Sequence, residues 1–382
     1  MAPVSLLLSA GEASGDMYAA RLASALRERL DVEIFGMGGP HMRAAGVDTV
    51  TDYSEVSVVG ITEILSHLPS LLRAMSRMVW ETERRKPALA ILTDFPGFHL
   101  RLARKLKARG VKNVYYICPQ FWAWRPWRAN LVRRRFVKAL CIFPFEEEFF
   151  RKAGVSVEFI GHPLVGAVRA SLDRKSFCER HQLDPNHKIV TVLPGSRTGE
   201  LAQHLTVLRE ACALIQTQVE AQFVIAAAHK NDLEQLQTGW PATLSIRVME
   251  GETYNALACA DAAIISSGTA TVEAALLDVP MVVVYRVSPL TALLAKPLIR
   301  TSHFAMVNLI AGKRAVPELV QGDFTPEKVA MATLCLLKDA QARAAMRIEL
   351  AEVRKRLGPP GAVERAADQI VTLLRAGAGN AL

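Results

Sequence analysis

The 382-residue sequence lacks the patterns that mark several common classes of protein. It has no uninterrupted apolar run of the ~18 residues that a membrane-spanning helix needs. A signal peptide would have basic residues before its apolar run, and the short apolar run near the N-terminus has none before it. The six cysteines are scattered, without a CxxC pair or a metal-ligand spacing, which favours reduced thiols in a cytoplasmic protein. We therefore expect a soluble or membrane-surface protein whose first apolar run is a strand.

Several ligand-binding motifs are also missing. The sequence contains no DxD, no HExxH and no GxxxxGK[ST], so it predicts no metal ion that would hold a diphosphate. No GxGxxG follows the first strand of either half, which argues against a nicotinamide enzyme. Positive charge for a bound phosphate must then come from a side chain such as Arg197 and from backbone amides. We expect neither a metal nor a cofactor.

Apolar runs bounded by glycine or proline alternate with helical patterns along most of the chain. This βαβα alternation predicts an α/β protein with two Rossmann-like, doubly wound parallel-sheet domains and a C-terminal helical segment. We expect the domains to cover residues 1–168 and 169–345, and helices to cover 346–382. The predicted strands lie within residues 4–10, 32–37, 88–94, 113–119, 139–145, 157–161, 188–195, 223–228, 245–250, 262–268 and 281–287.

Basic residues are concentrated in the first half of the chain. Lys and Arg outnumber Asp and Glu by 24 to 16 in residues 1–170, but only by 22 to 21 in residues 171–382. Residues 119–138 contain three Trp and six Arg or Lys, and residues 60–80 form a strongly apolar helical pattern that Pro69 interrupts. Membrane interfaces and nucleic acids both favour such stretches. A partly buried aromatic loop with a solvated basic helix, and an ordinary core helix, would give the same patterns.

Two glycine turns in the second half have the chemistry of a phosphate site. Their residues are Gly195, Ser196 and Arg197 in LPGSR, and Ser267, Gly268, Thr269 and Glu273 in SSGTATVE. Turns that follow neighbouring parallel strands meet at the carboxyl edge of the sheet, where backbone amides and a guanidinium suit a phosphate. Glu273 lies on the same helical face as Thr269 and suits ribose or sugar hydroxyls, although the helix dipole also favours a carboxylate in a first turn.

The turns of the first half carry carboxylates instead. GEASGD, after the first strand, contains Glu12, Ser14 and Asp16, and its carboxylates would repel a phosphate at that helix N-terminus. DFPGFH places Asp94 at the end of a strand, where a carboxylate is the right type of group for a general base. An aspartate there as often forms a turn or caps a helix. His99 is an alternative base or a capping residue.

Eight motifs follow one another along nearly the whole chain: GEASGD, DFPGFH, WAWR, GHPL, LPGSR, SSGTATVEAALL, VVVYR and NLIAGKRAVPELVQ. In this order they resemble the lipid-A-disaccharide synthases. The resemblance implies an inverting glycosyltransferase of GT-B type, cytoplasmic and peripherally attached to the anionic inner-membrane surface. It implies transfer from UDP-2,3-diacylglucosamine to 2,3-diacylglucosamine 1-phosphate (lipid X), with formation of a β-1,6 bond and release of UDP. It also implies a homodimer that exchanges C-terminal segments, and no nucleic-acid partner.

The resemblance also implies roles for individual residues. Asp94 is the expected catalytic carboxylate, and Glu12 and Ser14 lie on the acceptor-side loop of a lipid-binding N-terminal domain. The LPGSR and SSGTATVE turns of the second domain are expected to bind the UDP-sugar, with Asn308 in the cleft, while the C-terminal helices pack back on the N-terminal domain. Two alternatives remain open: a UDP-sugar 2-epimerase of the same architecture, and a basic RNA-binding protein. His99 in DFPGFH and Gln120 in PQFWAWR depart from the family's pattern.

Overall fold

The computed structural model describes residues 3–56, 68–227, 230–288, 292 and 303–378. The chain divides into two compact units. Unit 1 comprises residues 1–163 and 358–382, and unit 2 comprises residues 164–357. Each unit is built on one parallel sheet with helices in its crossover connections. In the described part of the chain, no helix is both long and apolar enough to cross a membrane.

Among the described residues, seven parallel strands form the sheet of unit 1, in the order β3-β2-β1-β4-β5-β6-β7. Its central strands are buried on both faces, so they are continuous apolar runs rather than alternating ones. Ala10 of β1 pairs with Thr93 of β4, which brings the turns that follow these strands together. The strands are β1 Val4–Ala10, β2 Val32–Gly38, β3 Asp48–Asp52, β4 Leu89–Thr93, β5 Lys112–Tyr116, β6 Lys138–Cys141 and β7 Val157–Phe159.

The described sheet of unit 2 has six parallel strands in the order β10-β9-β8-β11-β12-β13. Strands β8 and β11 are neighbours, with Leu193 opposite Ile265. The turns after these two strands therefore leave the sheet side by side. The strands are β8 Lys188–Leu193, β9 Ala221–Ala227, β10 Ser245–Glu250, β11 Ala262–Ser266, β12 Met281–Tyr285 and β13 Glu318–Val320.

Helices connect the strands in both units, and three of them follow the last strand. In unit 1 the described helices are α1 Ala13–Arg27, α2 Pro40–Ala44, α3 Leu68–Arg85, α4 Pro96–Lys107, α5 Phe121–Trp124, α6 Ala129–Arg135 and α7 Pro144–Lys152. In unit 2 they are α8 Arg174–His181, α9 Thr198–Gln216, α10 Leu233–Gln237, α11 Thr253–Ala258, α12 Ala270–Leu276, α13 Met306–Ala311, α14 Pro326–Lys338 and α15 Ala340–Arg356. The last helix, α16 Ala362–Ala378, belongs to unit 1.

The C-terminal helices α15 and α16 divide between the units. Helix α16 packs on α1 with Ala366, Ala367 and Ile370 fully buried, and Arg29 forms an ion pair with Asp368 at 2.8 Å. Helix α15 instead contacts α12 and α13 of unit 2. Of the segment 346–382 that was expected to pack back on the first domain, the part up to residue 357 thus groups with unit 2. The described portion from residue 358 onward packs in unit 1.

The sequence-based fold prediction is confirmed: both units are doubly wound parallel sheets, and helices follow the last strand. All eleven predicted strands are present. Two observed strands were missed. Strand β3, DTVTD, is polar except for Val50, and β13 has only three residues. Both are edge strands, which bury less side-chain surface and therefore need no continuous apolar run.

Candidate active site

The Asp94 carboxylate of unit 1 is held against the GEASGD turn. The Gly11 backbone N–H donates a hydrogen bond to Asp94 Oδ1 at 3.1 Å. Gly15 approaches the other oxygen so closely that an added Cβ would lie 1.7 Å from Oδ2. Oδ2 is buried and has no hydrogen-bond partner among the described residues. One hydrogen bond and one steric limit thus fix the orientation of this carboxylate.

The backbone at Asp94 is strained. Asp94 and Phe95 both adopt left-handed conformations, with φ of 53° and 41°, which cost about 1–3 kcal/mol each for residues other than glycine. Two side chains hold the Asp94 carbonyl oxygen: the Tyr115 hydroxyl donates to it at 2.8 Å, and His99 Nδ1 donates at 3.0 Å. Strain that neighbouring side chains maintain in this way is concentrated at functional sites.

His99 is a structural residue in this arrangement. Its ring is fully buried, and burial lowers its pKa to about 4, so the ring is neutral near pH 7. Because Nδ1 donates to the Asp94 carbonyl oxygen, Nε2 must accept, and it lies 2.8 Å from Ser9 Oγ. Both ring nitrogens are therefore engaged within the protein. This geometry does not suit the general-base role considered for His99.

Burial and a neighbouring charge raise the pKa of Asp94. Removal of the carboxylate from water is the largest cause, the negative charge of Glu12 adds to it, and the Gly11 N–H acts in the opposite direction. The unpartnered Oδ2 atom has the same consequence, because a buried carboxylate oxygen without a donor disfavours the charged form. The pKa of Asp94 is consequently well above its ordinary range. A carboxylate with a raised pKa is a stronger base and is therefore better suited to accept a proton.

The polar residues of GEASGD differ in burial. Asp16 is fully buried and accepts hydrogen bonds from the backbone N–H groups of Gly39, His41 and Met42, at the start of α2. It is therefore a helix-capping residue. Glu12 and Ser14 are exposed at the start of α1. The turn thus holds its own chain through Gly11, Gly15 and Asp16, and it leaves Glu12 and Ser14 facing solvent.

The aromatic and basic segment is anchored by a carboxyl group that the sequence analysis missed. The Trp122 indole N–H donates to Oε1 of the fully buried Glu146 at 3.1 Å, and the Phe143 backbone N–H donates to Oε2 at 3.3 Å. Burial raises the pKa of Glu146 to about 8 against the effect of these donors. Trp124 and Trp127 are 54% and 59% exposed. One tryptophan of the segment is therefore an anchor, while two face solvent.

In unit 2, the turn of residues 194–197 connects β8 to the long helix α9. Gly195 has a φ of 130°, which favours glycine. The fully buried His204 of α9 lies with Nδ1 2.7 Å from the Pro194 carbonyl oxygen, to which it donates, and its Nε2 accepts from the Arg286 backbone N–H at 2.9 Å. Burial lowers the pKa of His204, which keeps one ring nitrogen an acceptor. His204 thus ties the turn to the end of β12.

The second turn of unit 2 is held in part by its own side chains. Ser267 Oγ donates to the Phe304 carbonyl oxygen at 2.9 Å, while Gly268 and Thr269 are exposed. Asn308 is fully buried: its side-chain amide donates to Glu318 at 2.7 Å and to the Val316 carbonyl oxygen, and accepts from the Val316 N–H. The Asn308 amide is thereby engaged within unit 2, where it positions Glu318.

A cavity of about 320 Å³ opens beside Glu273. Its lining includes Arg169, Gly251, Thr253 and Tyr254, at the ends of strands β9 and β10 and in the segment before α8. The Tyr254 hydroxyl donates to Glu273 Oε1 at 3.0 Å, and burial raises the pKa of Glu273. The volume lies at the lower end of the range for small-molecule sites. The described residues contain no group of three or more His, Cys, Asp or Glu side chains that could hold a metal ion.

Comparisons with known proteins match this chain over almost its entire length. A family model described as lipid-A-disaccharide synthetase matches residues 6–370. A lipid-A-disaccharide synthase of Solibacter usitatus (strain Ellin6076) is 44% identical over 371 residues, which cover 97% of each chain. Two solved structures show the same fold at low identity. Calicheamicin glycosyltransferase CalG4 has a TM-score of 0.61 at 17% identity, with 98% and 99% of the two chains covered. Acinetobacter baumannii MurG has a TM-score of 0.60 at 16% identity, with 97% and 100% covered.

Proposed function

The chain belongs to the lipid-A-disaccharide synthase family, and on this premise we propose that unit 1 supplies the base for the acceptor while unit 2 binds the donor nucleotide. It is a glycosyltransferase of GT-B fold. The family implies transfer from UDP-2,3-diacylglucosamine to 2,3-diacylglucosamine 1-phosphate, with release of UDP. Neither the UDP-sugar 2-epimerase nor the RNA-binding alternative is favoured, because full-length relatives at 38–44% identity are synthases.

The observation that supports the proposed base is the Asp94 carboxylate. Inversion at the anomeric carbon needs a base on the face opposite the leaving UDP. Asp94 takes the proton of the acceptor 6-hydroxyl as that oxygen attacks, and the strained backbone with its Tyr115 and His99 contacts keeps the carboxylate in one orientation. Glu12 and Ser14, both exposed beside it, bind hydroxyl groups of the acceptor sugar.

On the donor side, the two turns of unit 2 stabilise the leaving diphosphate. Ser196 and the exposed Arg197 lie at the start of α9, where backbone N–H groups and the helix dipole favour an anion. Gly195 and the residues 267–269 shape the adjoining backbone. The uridine ribose and base occupy the cavity beside Glu273, whose carboxylate accepts from a ribose hydroxyl. Asn308 contributes indirectly, by positioning Glu318 and the backbone at Phe304.

The direct test is to incubate the protein with UDP-2,3-diacylglucosamine and the monosaccharide 1-phosphate, and to measure the mass of the lipid product. We expect a disaccharide 1-phosphate together with stoichiometric UDP. Incubation with UDP-N-acetylglucosamine in place of the donor, and without acceptor, tests the epimerase alternative. Formation of an epimer of this UDP-sugar would support that alternative. Absence of a disaccharide product with both substrates present would contradict the proposed function.

The same assay should tolerate EDTA. The stabilising charge in our proposal comes from Arg197 and backbone amides rather than from a metal ion, so chelation is expected to leave the rate within about twofold of the untreated enzyme. The measurement compares initial rates with EDTA, and with EDTA followed by excess Mg²⁺ or Mn²⁺. A loss of activity that one of these metals restores would contradict the prediction.

The charge of Glu12 should shift the pH at which the enzyme becomes active, in addition to the larger effect of burial. A general base works only after losing its proton, so kcat/KM is expected to rise as the pH rises through the pKa of Asp94. Glu12→Gln removes a negative charge that raises this pKa, and the rise should therefore move to lower pH. His99 is neutral over that range, and Tyr115, whose pKa burial raises, also stays neutral. Profiles of kcat/KM for wild type and variant measure the shift; an unchanged profile would contradict it.

We further propose that one helical layer of unit 1 contacts the anionic inner membrane. Helix α4 packs between α3 and α6. On α3, Leu68 and Leu72 are 48% and 59% exposed, while Leu71 packs on the core of the unit. The outer faces of α4 and α6 carry exposed Arg and Lys side chains. Exposed leucines and tryptophans beside basic side chains are the combination that peripheral membrane proteins use. Residues 60–67 of the apolar pattern lie outside the described residues.

Vesicle sedimentation tests this face. Binding to anionic vesicles should weaken with salt, since each basic residue near the surface contributes about 1 kcal/mol, and apolar insertion should leave a salt-resistant part. The double variant Leu68→Ser, Leu72→Ser should remove the salt-resistant part, and Arg133→Ser with Arg134→Ser should flatten the salt dependence. Leu71 is spared because it packs on the core.

The matched control is Met331→Ser with Ile348→Ser, which removes two exposed apolar side chains of unit 2. It should sediment like wild type. A leucine variant that melts normally and still sediments in high salt would exclude α3 as the membrane contact.

The homodimer that the family implies is also part of our proposal.

A further inference from the structure

The turn assigned to the diphosphate already holds a carboxylate of the chain itself. The Ser196 backbone N–H donates to Glu200 Oε2 at 3.2 Å, and Arg197 Nη1 donates to Glu200 Oε1 at 2.9 Å. The Glu200 side chain is only 9% exposed, whereas that of Arg197 is 68% exposed. Both donors that the proposed function gives to the leaving diphosphate are therefore bound to an internal anion.

We propose that Glu200 competes with the diphosphate for the Ser196 N–H and the Arg197 guanidinium, and thereby sets the affinity for UDP. UDP binds by displacing the Glu200 carboxylate from these donors, and the carboxylate returns to them as UDP leaves. This inference rests on the proposed function, because it assumes that the diphosphate uses this turn.

The geometry of the turn makes the two anions alternatives. A backbone N–H directed at Glu200 Oε2 cannot donate with good geometry to a phosphate oxygen as well. A carboxylate beside a bound diphosphate would also repel it, because both are negatively charged. This repulsion is stronger in a partly buried site than in water. Gly195 leaves the space that Glu200 occupies: a Cβ at that position would lie 2.7 Å from Glu200 Oε2. The turn is thus shaped to receive this carboxylate.

A simpler role for Glu200 makes a different prediction. Glutamate in the first turn of a helix often caps the preceding backbone N–H, and Glu200 occupies such a position in α9. If capping were its only role, Glu200→Gln would lower the melting temperature and would leave the ratio of UDP to uridine affinity unchanged. Competition instead changes that ratio, because uridine has no phosphate to compete with Glu200.

The experiment is calorimetric titration of the full-length protein with UDP and with uridine. Glu200→Gln, which keeps the size of the side chain and removes its charge, is expected to bind UDP about 10-fold more tightly and uridine with unchanged affinity. Glu200→Ala should change UDP binding in the same direction. The control Glu210→Gln removes a charge from an exposed position on the same helix, roughly 15 Å along it, and should change neither affinity. Thermal melts verify that each variant is folded.

Two outcomes separate this inference from the proposed function. If the wild type binds UDP more tightly than uridine but both Glu200 variants bind UDP equally or less tightly, the competition is overturned and the phosphate site stands. If the wild type binds UDP no more tightly than uridine, the assignment of the diphosphate to this turn fails, and the role of Glu200 fails with it.

Discussion

Asp94→Asn is expected to lower turnover at least about 100-fold in a protein that still folds, since general-base catalysis typically contributes 10²–10⁴. The amide retains the size of the carboxylate and can still accept from the Gly11 N–H. It cannot take up the proton of the acceptor hydroxyl. The substitution also removes a buried, partly unpaired carboxylate, so we expect no loss of thermal stability.

The measurement is kcat for disaccharide formation, with UDP binding and a thermal melt as controls on the variant. UDP affinity should not change, because the proposed nucleotide site belongs to unit 2. A folded Asp94→Asn protein with wild-type turnover would eliminate Asp94 as the base. Glu12 would then be the next candidate, since it is the exposed carboxylate of the same turn, whereas both ring nitrogens of His99 are already engaged.

Gly15→Ala should be nearly as damaging, although it removes no functional group. The added Cβ would lie 1.7 Å from Asp94 Oδ2 and 2.7 Å from its Cγ, far inside van der Waals contact. Gly15 is in α1, where alanine suits the backbone better than glycine. The conflict therefore falls on the Asp94 side chain, which must rotate away from its Gly11 hydrogen bond. We expect a loss of kcat of about 100-fold, in line with loss of the positioned base.

Gly97→Ala is the matched control for this variant. Gly97 lies in the first turn of α4, three residues after Asp94, and a Cβ there would meet no atom within 4 Å. Its activity should remain close to wild type. Kinetics of both variants, together with their melting temperatures, measure the difference. A fully active Gly15→Ala protein would show that the contact with Gly15 does not fix the carboxylate, and would remove one support for Asp94 as the base.

The fold was largely accessible from the sequence because its strands are buried on both faces. Such strands are largely apolar runs, and β1 and β8 are followed directly by glycine or proline. Strands β3 and β13 escaped prediction, since an edge strand can be polar like DTVTD or as short as three residues. The domain to which α15 belongs was equally hidden, because its amphipathic pattern indicates a buried face without indicating which sheet covers it.

The sequence predicts where the site residues lie relative to the strands, but not which residues contact one another. A carboxylate at the end of β4 and glycine turns after β8 and β11 could be found from strand order. Contacts between residues about eighty positions apart could not: Gly15 against Asp94, or Ser9 against His99, at a sequence separation of 90. Asn308 illustrates the limit. Its motif predicts a position in the cleft but gives no sign of the hydrogen bonds that its amide makes with Val316 and Glu318.

Because helix α16 belongs to unit 1, that unit is completed only after unit 2 has been translated. Unit 1 begins at the N-terminus but is completed by α16, and Arg29 meets Asp368 across 339 positions of sequence. A ribosome that adds about 5–20 residues per second translates all of unit 2 between these two parts. During that time the surface of α1 that will receive Ala366, Ala367 and Ile370 has no cover from its own unit. The first unit can therefore complete its packing against α1 only after residues 362–378 have been translated.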